Sequence, residues 1–297
     1  MLIAQITDLH LGFGQKARPA KDADVVGRDR LVAVLEAVRN LRERPALLLA
    51  TGDLVESTSP WAYPVLRDCL EEVLGDTVRV ALALGNHDHR AAFDATFGLA
   101  GGAGGFHQYV VDTDPVRVVV LDSLRPGYHG GAFCETRAGW LDAALEQGPA
   151  RPTLLALHHP PMPSGIPWLS ESADTPWIRC LQAVVERHPH VVQILCGHIH
   201  TPIQARFAGR SVSVGAAVAP ALAVETAAID PHTPDGRPMI LDTPPGWTLH
   251  QWRGGSMSGG LDGHFASFPQ TLAAPLVRFT PDFAELPLEA LDLNKPA

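Results

Sequence analysis

The chain has 297 residues, 46% hydrophobic and 19% charged, with a formal net charge of -9 at pH 7. This length can bury one large core, or the core of a main domain with an appendage. The acidic balance offers no field for nucleic-acid phosphates or an anionic membrane, so we expect neither a nucleic-acid polymer nor a membrane as a partner. The first residues lack signal-peptide features and no apolar run approaches the ~20 residues of a membrane span, which predicts a cytoplasmic protein.

Short apolar runs alternate with amphipathic segments through most of the chain. Most of the runs lack polar alternation, as strands buried on both faces do. The predicted strands are 2–7, 46–51, 78–84, 116–121, 153–157, 191–196 and 211–215. The predicted helices are 29–43, 60–74, 137–146 and 175–187, which carry apolar residues at helical spacing. This order predicts a layered α/β domain whose loops at the strand ends form the working face.

The composition changes after residue 215. The run AAVAPALAVETA is nearly uncharged, and 231–264 is rich in Pro and Gly. We therefore predict a main domain over 1–215 and a C-terminal appendage over 216–297, which packs partly on the main domain and serves as a cap or in oligomerisation. Because this segment carries more apolar surface than it can bury alone, we expect a homodimer or a larger assembly built from dimers.

Residues with metal-ligand chemistry follow the predicted strands. Seven of the fourteen histidines fall in the segments DLH, GNHDH, HH and GHIH. Asp8 and His10 alternate at the end of a strand, as do His198 and His200, so each pair should point to one side. Asp53 ends the second strand after a glycine, where its carboxylate could bridge two ions.

Asn86 and His158 complete this candidate set. The amide oxygen of Asn86 is a neutral ligand for a harder cation, and nitrogen and oxygen donors without thiolate fit zinc, manganese or iron. Two ions ~3.5 to 4 Å apart are the usual apparatus for displacement at phosphorus, because they activate a bridging water and neutralise the oxyanion. The pattern thus predicts two divalent or trivalent metal ions (Mn, Fe or Zn) and metal-assisted hydrolysis of a phosphoester.

The motifs DLH, GDLVE, GNHD, HHPP and GHIH, in this order between residues 8 and 200, resemble those of the calcineurin-like metallophosphoesterase superfamily. Within it, the chain is most similar to the class III cyclic-nucleotide and glycerophosphodiester phosphodiesterases, and PPGWTLHQW resembles their C-terminal segment. The resemblance implies a four-layer α/β/β/α sandwich with a small C-terminal appendage. It also implies that 1–215 is the catalytic domain.

By the same resemblance, the metal ligands form two sets that share one carboxylate. The sets are Asp8, His10, Asp53 and His200 for one metal, and Asp53, Asn86, His158 and His198 for the other. His87, with Asn86, would contact the phosphate and assist the leaving oxygen. A metal-bridging hydroxide would attack the phosphorus of a small diester, such as a 3',5'-cyclic nucleotide or a glycerophosphodiester.

Departures from the family pattern concern the substrate. Where the protein-phosphatase branch has GDxVDRG, this chain has Glu56 and Ser57. The arginine that binds a phosphate dianion in that branch is missing, which favours a singly charged diester. Glu56 stands where an Asp would orient His87. A phosphomonoesterase or nucleotidase on the same scaffold is an alternative, and so is a catalytically inactive interaction module.

Three further residues of the motifs have less defined roles. His159 follows His158 and, on strand alternation, points away from it, which favours a structural role. His89 and Arg90 follow GNHD on a loop. For these two, the sequence leaves open a solvated surface position and a substrate contact.

Overall fold

The computed structural model describes residues 1–99, 101–147, 151–230, 232–254 and 263–273. The helices in these ranges are α1 (Arg28–Arg39), α2 (Tyr63–Val73), α3 (Arg90–Phe97), α4 (Glu135–Glu146) and α5 (Pro176–Arg187). The strands are β1 (Leu2–Ile6), β2 (Leu47–Thr51), β3 (Arg79–Ala83), β4 (Tyr109–Asp112), β5 (Arg117–Val120), β6 (Thr153–Ala156), β7 (Val191–Cys196), β8 (Ile203–Phe207), β9 (Arg210–Val214), β10 (Ala221–Leu222), β11 (Ile240–Leu241), β12 (Gly246–Arg253) and β13 (His264–Thr271).

The strands form two mixed sheets and one short ribbon. The first sheet has the order β13-β12-β1-β2-β3, in which β1, β2 and β3 are parallel. The second has the order β4-β5-β6-β7-β9-β8, with a parallel centre and an antiparallel strand at each edge. Strands β10 and β11 pair in the ribbon. Helical segments connect β1 to β2, β2 to β3, β5 to β6 and β6 to β7, whereas strand β8 lies between β7 and β9 in the chain.

Three apolar clusters place the layers. One lies between the sheets and joins residues such as Leu49 of β2 and Val118 of β5. A second packs the outer face of the first sheet against α1, α2 and α3, and a third packs the second sheet against α4 and α5. The order of layers is helix, sheet, sheet, helix, which confirms the predicted α/β/β/α sandwich.

Helix α1 illustrates how the pattern produces this packing. Its buried residues Leu31, Val34, Leu35 and Val38 recur at three- and four-residue spacing, so they form one stripe that faces the first sheet. The helix has 12 residues. Across the described ranges, no helix has both the length and the apolar character that crossing a bilayer requires.

The part of the chain after residue 215 contributes to the first sheet. Strand β12 pairs antiparallel with β1, from Leu2 opposite Gln251 to Gln5 opposite Thr248, and β13 pairs with β12. This part of the predicted appendage packs on the main domain, while the boundary at 215 stays a prediction. Residues 274–297, the end of the predicted appendage, lie outside the described residues.

A buried polar network ties β12 to the rest of the sandwich. His250 is fully buried, and its Nε2 donates to Gln5 Oε1 at 2.8 Å while its Nδ1 accepts from Ser267 Oγ at 2.8 Å. Gln5 in turn donates to the carbonyl oxygen of Cys196 in the other sheet at 2.8 Å. Burial lowers the pKa of His250 to about 3, so the ring is neutral in the folded protein.

This buried imidazole predicts a pH-dependent loss of stability. Below its ordinary pKa of about 6.5, the unfolded chain binds a proton at His250 that the folded chain does not, so stability present above that pH is lost as the pH falls toward 3. Between pH 7 and 5 the free energy of unfolding should fall by about 2 kcal/mol more in metal-free wild type than in His250→Gln. Urea unfolding of both proteins at several pH values measures the difference. If the free energy of unfolding changed equally with pH in the two proteins, His250 would not have the lowered pKa that its burial implies.

Candidate metal centre

The candidate ligands lie just beyond the carboxyl ends of parallel strands from both sheets. Asp8, Asp53 and Asn86 follow β1, β2 and β3, and His158 and His198 follow β6 and β7. Because parallel strands end at the same edge of a sheet, the loops after them meet there. The two sheets pack face to face, so the two groups of loops converge.

The backbone at these positions is left-handed. Of the six non-glycine residues with positive φ in the described ranges, five are candidate ligands, namely Asp8, His10, Asp53, His198 and His200. Such conformations cost of order 1–3 kcal/mol each and persist where the surrounding structure fixes them. We predicted that strand alternation aligns Asp8 with His10 and His198 with His200. This explanation was wrong, because both pairs lie beyond the strands, of which β1 ends at Ile6 and β7 at Cys196.

Hydrogen bonds between the loop after β1 and the loop after β2 hold Asp8 and His10 in a turn and not in a strand. The amide of Asp8 donates to the carbonyl oxygen of Gly52 at 3.0 Å, and the amide of His10 donates to that of Asp53 at 3.0 Å. Gly52 has a φ of 95°, and a Cβ there would lie 2.6 Å from His158 Nδ1. The glycine before Asp53 is therefore required both for the turn and for the approach of the second sheet.

The first group of ligand atoms comprises those of Asp8, His10, Asp53 and His200. The Nε2 atoms of His10 and His200 are 3.0 Å apart. His10 Nε2 lies 3.5 Å from Asp53 Oδ2, and His200 Nε2 lies 3.6 Å from Asp8 Oδ1. A metal ion with bonds of ~2.0 to 2.2 Å holds neighbouring ligand atoms roughly 3 Å apart, so these spacings fit a metal site.

The second group lies on the other side of Asp53. His158 Nε2 is 3.1 Å from Asn86 Oδ1 and 3.3 Å from Asp53 Oδ2. The same oxygen, Asp53 Oδ2, therefore faces an imidazole of each group, while Oδ1 accepts the backbone amide of His87 at 2.8 Å. His198 lies farther from this group, with a ring nitrogen within 4.8 Å of ring nitrogens of His158 and His159.

The ring tautomers direct the Nε2 lone pairs into the centre. His200 Nδ1 donates to the carbonyl oxygen of Pro220 at 2.9 Å, and His158 Nδ1 donates to that of Thr51 at 2.8 Å. Such bonds fix the orientation of metal-binding imidazoles. Neutral rings that donate through Nδ1 present lone pairs at Nε2, and lone pairs facing one another at 3.0 Å repel unless a cation lies between them.

The pKa shifts also indicate a place for positive charge. Burial raises the pKa of Asp53, but the imidazoles of His158 and His10 outweigh it and hold that pKa well below its usual range. Burial lowers the pKa of His158, but the Asp53 carboxylate outweighs it and raises that pKa to about 9. A proton on His158 supplies the charge in the metal-free protein, and a bound metal ion would replace it.

Glu56 joins a candidate ligand to the residue predicted to contact the phosphate. Its Oε2 accepts from His10 Nδ1 at 3.1 Å, and its Oε1 accepts from His87 Nδ1 at 2.7 Å. The extra methylene of Glu relative to Asp lets one carboxylate reach both rings. With Nδ1 engaged, His87 presents only Nε2 to a substrate.

Asp88, the last residue of GNHD, is a residue whose role the sequence reasoning missed. It is buried and accepts the amides of Leu54 and Gly85 at 3.1 and 2.8 Å and the hydroxyl of Tyr63 at 2.8 Å. These bonds fix the loops of Asp53 and Asn86 relative to each other. Its position inside the GNHD motif could have marked it as a functional residue. Its partners, however, are mostly backbone amides, which a sequence motif does not reveal.

The three residues of undefined role make contacts within the protein. The expectation that His159 points away from His158 was wrong, since β6 ends at Ala156 and the two ring centroids are 4.9 Å apart. His159 accepts from Ser123 Oγ at 2.8 Å and donates to the carbonyl oxygen of His129 at 3.0 Å, which fits a structural role. His89 Nε2 donates to the carbonyl oxygen of Ser57 at 2.7 Å. Arg90 forms a bidentate pair with buried Asp122 at 2.7 and 2.8 Å, so its guanidinium is engaged away from a substrate.

Cavities open on two sides of the centre. One of about 350 Å³ is lined by Asn86, His87 and Tyr128. Another, of about 190 Å³, is lined by His10 and His200. Both candidate metal positions thus border space that a small ester could enter.

Comparisons with known proteins agree with this geometry. The sequence profile of the calcineurin-like phosphoesterase family matches residues 1–202. A cAMP/cGMP dual specificity phosphodiesterase of Mycobacterium tuberculosis is 34% identical over 220 residues, which cover 73% of this chain and 67% of that protein. The glycerophosphodiester phosphodiesterase GpdQ of Enterobacter lignolyticus is 34% identical over 212 residues, covering 67% and 71%. A dimetal phosphatase structure from Danio rerio has the same fold, with a TM-score of 0.57, 15% identity and coverage of 90% and 98%.

Proposed function

We propose that this chain, which belongs to the calcineurin-like phosphoesterase family, is a metal-dependent phosphodiesterase that hydrolyses small phosphodiesters such as 3',5'-cyclic nucleotides or glycerophosphodiesters. The observation that carries the proposal is the position of Asp53 Oδ2 between His10 Nε2 at 3.5 Å and His158 Nε2 at 3.3 Å. One carboxylate oxygen between two groups of nitrogen and oxygen ligands is suited to a pair of metal ions.

In this proposal the two groups hold one metal ion each. The ligands are Asp8, His10, Asp53 and His200 for the first ion, and Asp53, Asn86, His158 and His198 for the second. Imidazole, carboxylate and amide donors suit Mn, Fe or Zn. When bound, two such ions supply the positive charge that activates water and neutralises the phosphoryl oxygens.

The protein's own groups complete the chemistry. His87 lines the same cavity as Asn86, and its Nε2 would donate a proton to the leaving oxygen or a hydrogen bond to the phosphoryl group. Glu56 holds the His87 ring through Nδ1 at 2.7 Å. This carboxylate also favours the protonated imidazole, because its hydrogen bond raises the pKa of His87 against the opposing effect of burial.

Substrate charge should separate diesters from monoesters. Ser57 stands at the position of the arginine that the protein-phosphatase branch directs at a dianion, and Arg90, which follows the GNHD motif, is paired with Asp122. We therefore expect kcat/KM for bis(p-nitrophenyl) phosphate to exceed that for p-nitrophenyl phosphate in steady-state assays with added manganese. If the monoester is preferred with manganese, iron and zinc alike, the monoesterase or nucleotidase alternative replaces this proposal.

We further propose a homodimer, or an assembly built from dimers, with an interface formed in part by residues beyond 216. Val224 and Leu241 support it, since their side chains are 63% and 39% exposed. Light scattering at micromolar concentration should give at least twice the mass of one chain, and Val224→Glu with Leu241→Glu should lower it. Leu99→Glu, at an exposed apolar residue of the main domain, is the control. A monomeric wild type would exclude the dimer.

A further inference from the structure

Basic side chains collect at the edge of the second sheet opposite the candidate metal centre. Strands β5, β6, β7 and β9 are adjacent and parallel, so their amino ends share that edge. Strand β7 has six residues, which at ~3.3 Å per residue puts the edge roughly 15 to 20 Å from the loops of the candidate ligands. A basic residue stands at or shortly before the start of each of the four strands. This group, the basic edge, comprises Arg117, Arg151, His190 and Arg210.

The strand register brings these residues close to one another. Arg117 pairs with Thr153 at the start of β6, and Thr153 pairs with Val191 at the start of β7. Adjacent strands are about 4.8 Å apart. Arg151 and His190, which come shortly before Thr153 and Val191, are therefore neighbours of Arg117 although they are distant from it in sequence.

The surroundings of His190 show how the positive groups converge. Burial lowers the pKa of His190, and three nearby basic groups lower it further. These groups are His188, Arg117 and Arg210. The rings of His188 and His190 are 5.4 Å apart. A negative charge placed among these side chains would be stabilised by all of them.

Four buried nitrogen atoms of the basic edge have no hydrogen-bond partner among the described residues. They are Nε of Arg117, Arg151 and Arg210, and Nε2 of His190. Arg117 is only 7% exposed, and its Nη1 donates to the carbonyl oxygen of Ala144 in α4 at 2.7 Å. A buried charged donor without an acceptor is unfavourable, so an acceptor that reached several of these nitrogens would bind there.

A single carboxylate faces the guanidinium groups of the basic edge. In the described ranges, Asp112 is the only carboxylate within 4.0 Å of any of the three. It forms a hydrogen bond with Arg151, while its Oδ1 is 3.7 Å from Arg117 Nε, too far for a hydrogen bond. The Asp112 side chain is 68% exposed. Three permanently charged groups thus share one solvated carboxylate, which leaves a local positive charge in a chain of net charge -9.

We propose that the basic edge binds a phosphate-type oxyanion, either free phosphate or the phosphate group of a monoester. Guanidinium groups recognise phosphate through charge-assisted hydrogen bonds. A tetrahedral dianion offers acceptor oxygens in several directions, which suits donors that converge from four strands. A carboxylate has one charge and two oxygens in one plane, so it would satisfy fewer of them. This site is separate from the metal centre and does not depend on the proposed function.

Calorimetry with inorganic phosphate tests the proposal. The titrations use full-length protein as purified, and the same protein after EDTA treatment and dialysis, which removes binding to metal ions. We expect one phosphate per chain to bind the EDTA-treated protein with a Kd of about 1 mM or tighter. Arg117→Gln and Arg210→Gln should each weaken this binding by about 10-fold or more, because each removes charge-assisted hydrogen bonds. Arg210 is only partly buried, so its variant decides the outcome even if Arg117→Gln is unstable.

Arg18→Gln is the matched control, since the Arg18 side chain is 47% exposed and pairs with Asp22 outside the second sheet. It should bind phosphate as wild type does, and the compared proteins should share one melting temperature in phosphate-free buffer. Adenosine monophosphate separates the two sources of the ligand. Competition with phosphate would show that the site accepts a monoester, and lack of competition would assign the site to the free ion. The proposal is overturned if EDTA-treated wild type binds no phosphate, if chloride at equal ionic strength competes equally well, or if Arg210→Gln binds phosphate like wild type.

Discussion

Replacing Asp53 by Ala should remove at least one metal ion and lower turnover of bis(p-nitrophenyl) phosphate by at least ~10³-fold. The substitution deletes Oδ2, which lies between His10 Nε2 and His158 Nε2. It also deletes Oδ1, which accepts the amide of His87 at 2.8 Å. Two bound cations would then repel each other, because the negative carboxylate between them would be missing. Elemental analysis of purified protein, beside steady-state kinetics, measures both effects.

Asp76→Ala provides the control for this experiment. Asp76 is an exposed carboxylate in a turn before β3, remote from the candidate ligands. Its metal content and turnover should match those of wild type. An Asp53→Ala protein that retains two metals per chain and near wild-type turnover would refute the proposed centre.

His87→Ala should separate metal binding from chemistry. Because Glu56 engages His87 Nδ1 and the residue lines the same cavity as Asn86, the ring is proposed to act on the phosphate side and not as a ligand. Both metals should remain, while kcat falls by ~10²-fold or more, the range for lost acid catalysis or charge stabilisation. His232→Ala, at an exposed histidine, is the control. Metal loss in His87→Ala alone would make His87 a ligand and overturn the assignment.

The sequence located the central strands well because they are buried on both faces. The run at 46–51 became β2 (Leu47–Thr51), whose five residues are all buried. Strand β12 was not predicted, because GWTLHQWR mixes polar and apolar residues and its burial depends on distant partners, namely the paired strand β1 and the apolar clusters that include Trp247 and Trp252. Helix α3 was also not predicted. It has eight residues and follows GNHDH directly, too short for a clear helical period.

The candidate site was predictable as a set of residues but not as a backbone. The motifs named the side chains that the structure brings together around Asp53. They did not reveal the left-handed conformation of Asp8 and His10. That conformation follows from hydrogen bonds that the backbone amides of these residues donate to the carbonyl oxygens of Gly52 and Asp53 in the neighbouring loop. Nor could they name the carbonyls of Thr51 and Pro220 that fix the imidazoles, since every residue carries a carbonyl.

The origin of the ligands in both sheets couples metal occupancy to folding. A pair of ions held by loops of the first sheet and loops of the second would act as a cross-link between the halves of the sandwich. Because such ions bind the assembled centre and not the separated loops, each would add RT ln(1 + [M]/Kd) to the free energy of unfolding, about 2.7 kcal/mol at a hundredfold excess over Kd. The supply of metal would then affect the stability of the folded chain as well as its activity.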